Sequence, residues 1–133
     1  MKKILITGAT GFIGRNFIKR KYLQKNILHC LTRKKLKSKK KIIWHETAIE
    51  DNKKLKKLKK KLHGVKTLYH FAWGNLPNYQ SKIHMTDELK KQKIFLKHMI
   101  DFGIKKIVVT GTCYEYGLRE GVIYNTYKTN PVV

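Results

Sequence analysis

The sequence is short of acid: 8 Asp and Glu stand against 31 Lys and Arg over 133 residues, a formal net charge of +23. Cysteine and proline are scarce too, at two each. Cys30 and Cys113 cannot build a disulfide scaffold, and neither sits in a CxxC motif, so a reducing, cytoplasmic setting is expected. No apolar run approaches the roughly 18 residues of a membrane-spanning helix. Residues 1–6 imitate a secretory leader, with lysines before apolar residues. That run stops at Thr7-Gly8, too short for a leader core, and reads as a strand. The histidines, at 29, 45, 63, 70, 84 and 98, show no ligand spacing such as HxxxH, so no metal site is expected.

Arginine is the scarce cation, at 4 against 27 lysines. Ile outnumbers Val 14 to 6, and Ala occurs three times. Lys and Ile have A/T-rich codons, so this is the composition of a low-G+C genome acting on solvated surface. Base contacts and bidentate phosphate contacts favour Arg. The charge therefore implies salt-sensitive, non-specific association with nucleic acid and no specific nucleic-acid or membrane partner.

What the chain does hold is enough apolar material for a core, 41% with 11% aromatic, in a length that suits one domain over 1–133. Apolar, β-branched runs at 3–7, 27–32, 42–45, 66–72 and 106–110 read as strands. Helical patterns lie between them. Phe12, Ile13, Phe17, Ile18 and Leu23 form one stripe. Leu55, Leu58 and Leu62 form another, capped by Asp51 or Asn52, stopped at Gly64 and backed by solvated lysines. A long helix from about 86 to 102 carries Leu89, Ile94, Phe95, Leu96, Met99 and Ile100, and ends at Gly103. The alternation argues for an α/β fold, a doubly wound, Rossmann-like parallel sheet in the order 3-2-1-4-5. The fifth strand would then be an uncovered edge. Residues 118–133 show no period.

Thr7-Gly8-Ala9-Thr10-Gly11-Phe12-Ile13-Gly14 follows the first strand and opens the first helix, the context a dinucleotide fingerprint requires. Gly8 suits a tight turn, Gly11 a close approach of backbone to pyrophosphate, and Gly14 helix–strand packing. The phosphates would meet unpaired N–H groups at the helix start. The end of the second strand reads Thr32-Arg33-Lys34, with no acid until Glu46. An acid there would bond a ribose 2′-OH, whereas Arg33 offers a fork for a 2′-phosphate. The cofactor expected is NAD(P), with a lean to NADP.

Three segments resemble the extended short-chain dehydrogenase/reductase family, the NAD-dependent epimerase/dehydratases of nucleotide sugars. They are the glycine loop, His70-Phe71-Ala72-Trp73-Gly74, and Thr110-Gly111-Thr112-Cys113-Tyr114-Glu115-Tyr116-Gly117, in the family's order along nearly the whole chain. The resemblance implies a cofactor site of Gly8, Gly11, Phe12, Ile13, Gly14, Phe71 and Ala72, joined by Arg33. It implies that Thr112 is the hydroxyl member of a catalytic Ser/Thr, Tyr and Lys set. It also implies a nucleotide-sugar substrate, and a homodimer for a completed chain.

The chain departs from the family in several places. Tyr124 and Lys128 form a Tyr-x-x-x-Lys, but they follow Thr112 too closely for the catalytic pair. Thr129-Asn130-Pro131 resembles the segment just before the catalytic Tyr. The chain thus reads as the N-terminal, cofactor-binding portion, truncated before the catalytic Tyr and Lys and the substrate domain, and inactive alone. A non-catalytic NAD(P)-binding module or gene remnant is the alternative, and a basic nucleic-acid-binding protein the second. Ala48 falls where an Asp commonly contacts the adenine. Glu88 falls near a common Asn and reads as a surface or cap-region acid. Cys113 reads as a small buried thiol. Trp73, Tyr114 and Tyr116 read as core aromatics at strand ends, with stacking on a substrate as the alternative.

Overall fold

A computed structural model describes residues 1–78 and 80–130. Five strands form one parallel sheet: β1 (Lys3–Thr7), β2 (Ile27–Thr32), β3 (Ile42–Glu46), β4 (Val65–His70) and β5 (Lys106–Val109). Their order, β3-β2-β1-β4-β5, is the expected doubly wound one. The helices are α1 (Phe12–Phe17), α2 (Lys21–Gln24), α3 (Asn52–Leu58) and α4 (Leu89–Asp101), the last preceded by a π-helical turn, His84–Glu88.

Strand residues alternate between two cores. Leu5, Leu31 and Leu68 bury against Leu55, Leu58 and Leu62 and against Phe95 and Met99 of α4. Ile4, Ile6, Leu28 and Cys30 bury on the other face with Leu23, and Phe17, Tyr69 and Phe71 pack against them. Burial pushes the Cys30 thiol up to about 12, so it serves as packing and not as a nucleophile. Asp51 caps α3 by accepting from the Lys54 backbone N–H at 2.9 Å. Gly64, at φ 82, and Gly103, at φ 89, turn the chain after α3 and α4.

Three expectations are corrected. The first helical stripe is broken, because α1 stops at Phe17 and α2 starts again at Lys21, so the phase is lost. Leu23 is buried, but Phe12 and Ile13 are 78% and 52% exposed. On α4, Leu89, Ile94 and Ile100 are exposed. The buried face is instead Glu88, Gln92, Phe95 and Met99, spaced i, i+4, i+7, i+11, with two polar members. β4 ends at His70; the Phe71 N–H still donates to the Thr7 carbonyl at 3.3 Å, and from Ala72 the chain runs into the loop beyond. β5 pairs with β4 alone among the described strands, and its Val109 is exposed. The Cys113 and Tyr114 side chains lie outside the described residues, as do residues 131–133.

Beside the parallel ladder, β3 meets β2 through a buried pair that has no sequence spacing to announce it. His29 Nδ1 and His45 Nε2 lie 2.9 Å apart, with ring centroids 5.2 Å apart. One ring donates to the other, and His29 Nε2 has no partner. A second proton would set two N–H groups against each other. Burial, then His29 and Lys61, lowers His45 to about 4, and burial and Lys3 lower His29. A lowered folded-state value means that the unfolded chain takes the proton first. The pair's contribution is therefore complete above the unfolded value of 6.5 and drains away as pH falls towards about 4. Urea unfolding should show a stability loss of order 2 kcal/mol across that window. In His45→Gln, which keeps a neutral donor, the loss should be clearly smaller. Equal pH dependence of the two proteins would sink this account.

Candidate functional site

The reversal of strand order between β1 and β4 opens a crevice at the carboxyl ends of the strands, where open α/β sheets bind ligands. A cleft of about 550 Å³ lies there, within the size range of small-molecule sites. The glycine loop forms its middle, Leu31–Lys34 and Thr47–Ile49 one end, and Phe71–Gly74 with Leu76 the other. Gly8, Gly11, Phe12, Ile13, Gly14, Arg33, Phe71 and Ala72 all line this one cleft. The exposure of Phe12 and Ile13 follows from that placement: they face the cleft instead of the core.

The glycines do three jobs. Gly8 has φ 66, and a Cβ there would stand 2.7 Å from the Phe71 carbonyl carbon. A Cβ on Gly14 would stand 2.1 Å from the Gly8 oxygen, so only glycine lets α1 seat on the loop. Gly11 differs, because its Cβ would meet a single atom, the Gly8 oxygen at 3.2 Å. The protein tolerates bulk at Gly11 better than at Gly8 or Gly14. Gly11 lines the cleft. The first-turn N–H groups of Phe12 and Ile13 have no partner within α1 and can bind an anion.

The β4 side of the cleft hangs on a closed ring of hydrogen bonds. The Ala72 N–H donates to Thr7 Oγ1 at 3.3 Å. The Thr7 hydroxyl donates to His70 Nδ1 at 2.6 Å. His70 Nε2–H donates to Gln92 Oε1 at 2.5 Å. Gln92 Nε2–H donates to the Ala72 carbonyl at 3.1 Å, closing the ring. The acceptor Oε1 sets the tautomer of His70. Burial lowers the His70 pKa against the opposing pull of the Gln92 bond, so the ring is neutral. Phe95 stacks on it at 5.1 Å.

A second set of bonds holds residues 73–78 to the π-turn. Trp73 Nε1–H donates to His84 Nδ1, and His84 Nε2–H donates to the Asn78 carbonyl, both at 2.9 Å. Asn75 Nδ2–H donates to Glu88 Oε1 at 3.0 Å. Glu88 is therefore a buried acid under the cleft wall, not a surface one. Trp73 lines the cleft at 38% exposed and is not a core residue.

The other candidates stand apart. Thr112 is exposed beyond the end of β5 and is not a wall of the cleft. Tyr124 and Tyr127 pack edge to face at 5.6 Å, with Arg119 over Tyr127, also outside the cleft. Tyr116 is partly buried. Ala48 lines the cleft beside Thr47. Arg33 meets Glu50, an acid 17 residues on, at 3.4 Å. Both side chains are exposed, so the pair is weak.

Residues 4–132 match the NAD dependent epimerase/dehydratase family. The chain belongs to that family. No curated protein matches the sequence. Among solved structures, it resembles DesIV, the dTDP-glucose 4,6-dehydratase of Streptomyces venezuelae solved with NAD and TYD (TM-score 0.75, 19% identity, 97% of this chain and 45% of that one). It also resembles the UDP-glucose 4-epimerase of Thermotoga maritima with UDP-glucose (TM-score 0.73, 20% identity, 98% and 45%). MoeE5 with UDP-glucuronic acid and NAD is a third (TM-score 0.72, 18% identity, 97% and 43%). Identities this low show the fold, and the chain spans less than half the length of these three proteins.

For this epimerase/dehydratase-family chain, the ring implies a cost that polarity patterns hide. Gln92→Leu leaves His70 Nε2–H and the Ala72 carbonyl unpaired in the interior. It should cost about 2–6 kcal/mol by urea unfolding, at roughly 1–3 kcal/mol for each of the two orphaned groups. A loss below about 1 kcal/mol would show that the ring is not closed.

Proposed function

We propose that the cleft binds NAD(P) and that the chain is the cofactor-binding portion of an epimerase, dehydratase or reductase of nucleotide sugars. The observation that carries this is the glycine loop itself: Gly8, Gly11 and Gly14 all line the cleft at the start of α1, and a Cβ at Gly11 would meet one atom, the Gly8 oxygen at 3.2 Å. The fit is chemical as well. First-turn N–H groups would take the pyrophosphate, Arg33 and Lys34 the 2′ side, and the Phe71–Ala72 backbone the ribose and nicotinamide side. The cofactor, when bound, accepts and returns a hydride. Thr112 is proposed to orient the reacting oxygen of the substrate. Neither Tyr124 nor Lys128 reaches the cleft, which supports no turnover by these 133 residues alone. The same fact favours, as a second reading, a binding module without turnover. The lysines would add weak, salt-sensitive association with nucleic acid. Two cysteines, one of them buried, fit the cytoplasm.

Calorimetry tests the reading directly. Gly11→Val should fold and lose dinucleotide binding, because the side chain enters the phosphate path. Unchanged affinity in the folded variant would refute the site.

The lean to NADP has its own test. A charge-assisted bond from Arg33 to a 2′-phosphate is worth about 1.5–3 kcal/mol before the competing Glu50 is subtracted. NADP should bind several-fold more tightly than NAD, and Arg33→Ala should erase the difference. Equal binding of both by the unmutated chain would contradict the assignment.

A further inference from the structure

The cleft is electrically lopsided. Its charged wall residues, Arg33 and Lys34, both stand at the β2 end. At the β4 end an opposite charge lies just behind the wall. Glu88 is 4% exposed, and the wall residue above it is Gly74. A Cβ on Gly74 would stand 2.6 Å from each Glu88 carboxylate oxygen, so the carboxylate packs directly against the wall backbone. Asn75, held at φ 55, turns its amide back onto Oε1. The counter-ion, Lys91, is shared. Its ammonium is 2.6 Å from Asp87 and 3.5 Å from Glu88, so it is committed mainly to the exposed acid. Glu88 keeps the Asn75 bond and the longer of the two Lys91 contacts.

A nicotinamide dinucleotide is lopsided in the matching sense. Its phosphates are anionic, its oxidised ring is cationic, and its reduced ring is neutral. With the phosphates on the glycine loop and the 2′ side at Arg33, the ring falls to the β4 end. We propose that Glu88 is a specificity-determining residue whose charge, acting through the Gly74 wall, makes the cleft favour the oxidised nicotinamide ring over the reduced one. The inference rests on the dinucleotide reading above. Water is excluded between the carboxylate and the wall, so the charge is weakly screened there.

The test measures binding of NAD+, NADH and ADP-ribose to the whole chain by calorimetry at one ionic strength. In Glu88→Gln the ratio of NAD+ to NADH affinity should fall about three- to tenfold, the scale of a unit charge acting across several ångströms of protein. ADP-ribose, which lacks the ring, should bind as before. Lys91→Met removes the shared counter-ion and should raise the ratio, which reads the same charge if the Gln variant fails to fold. Equal loss of NAD+ and NADH in Glu88→Gln, or an unmoved ratio in Lys91→Met, overturns the proposal while ADP-ribose binding leaves the dinucleotide site standing. Failure of the unmutated chain to bind ADP-ribose overturns the dinucleotide reading, and this proposal with it.

Discussion

The hydrogen-bond ring through Thr7, His70, Gln92 and Ala72 is the constraint on which the cleft depends. It ties the end of β1, the end of β4 and α4 to a single residue, Ala72. Each member's requirement is met by the next, so no buried donor or acceptor in the ring is left over. A fully satisfied buried network is rigid, because any displacement exposes an unpaired group to a medium that cannot solvate it. Ala72 is gripped at both its N–H and its carbonyl, and it carries the cleft wall with it. Gly8 then packs against the same Phe71–Ala72 backbone from the other side, at a separation no side chain would allow.

The π-turn extends this grip outward. Five residues at His84–Glu88 bring His84 and Glu88 to one loop, where they meet Trp73, Asn75 and Asn78. Such turns are costly enough to be rare and are common near functional sites. Here the turn faces the β4 end of the cleft and holds wall residues that no strand supports. The opposite end is built differently. Arg33 and Lys34 sit on an exposed loop, with a weak tie to Glu50. One end of the cleft is thus rigid and backed by buried groups, and the other is solvated and basic.

Much of this was legible in the chain itself. The strand–GxxGxxG–helix segment, the five apolar runs and the Leu55, Leu58, Leu62 stripe carry their meaning locally, and the sheet order follows from the alternation. The glycines that line the cleft were legible too, because glycine spacing reports backbone geometry directly. Glu88 and Gln92 were not. They share a helix face with Phe95 and Met99, yet hydropathy patterns count polar residues as outward. Read in phase with Phe95 and Met99, their spacing would have marked them. Phe12 and Ile13 failed in the reverse sense, since apolar residues count as inward unless a ligand cleft is there to receive them.

The sequence by itself determined the alternation of strands and helices, the Leu55, Leu58 and Leu62 stripe and the glycine positions of the first loop. These follow from contacts between near neighbours, and from steric limits that act residue by residue. Only the tertiary structure decided which polar groups are buried together. His29 meets His45 across 16 residues, Thr7 meets His70 across 63, and Asn75 meets Glu88 across 13. A hydrogen bond of this kind depends on two side chains arriving within about 3 Å from separate elements. No local pattern encodes that arrival, because it is the packing of the sheet and its helices that brings the partners together.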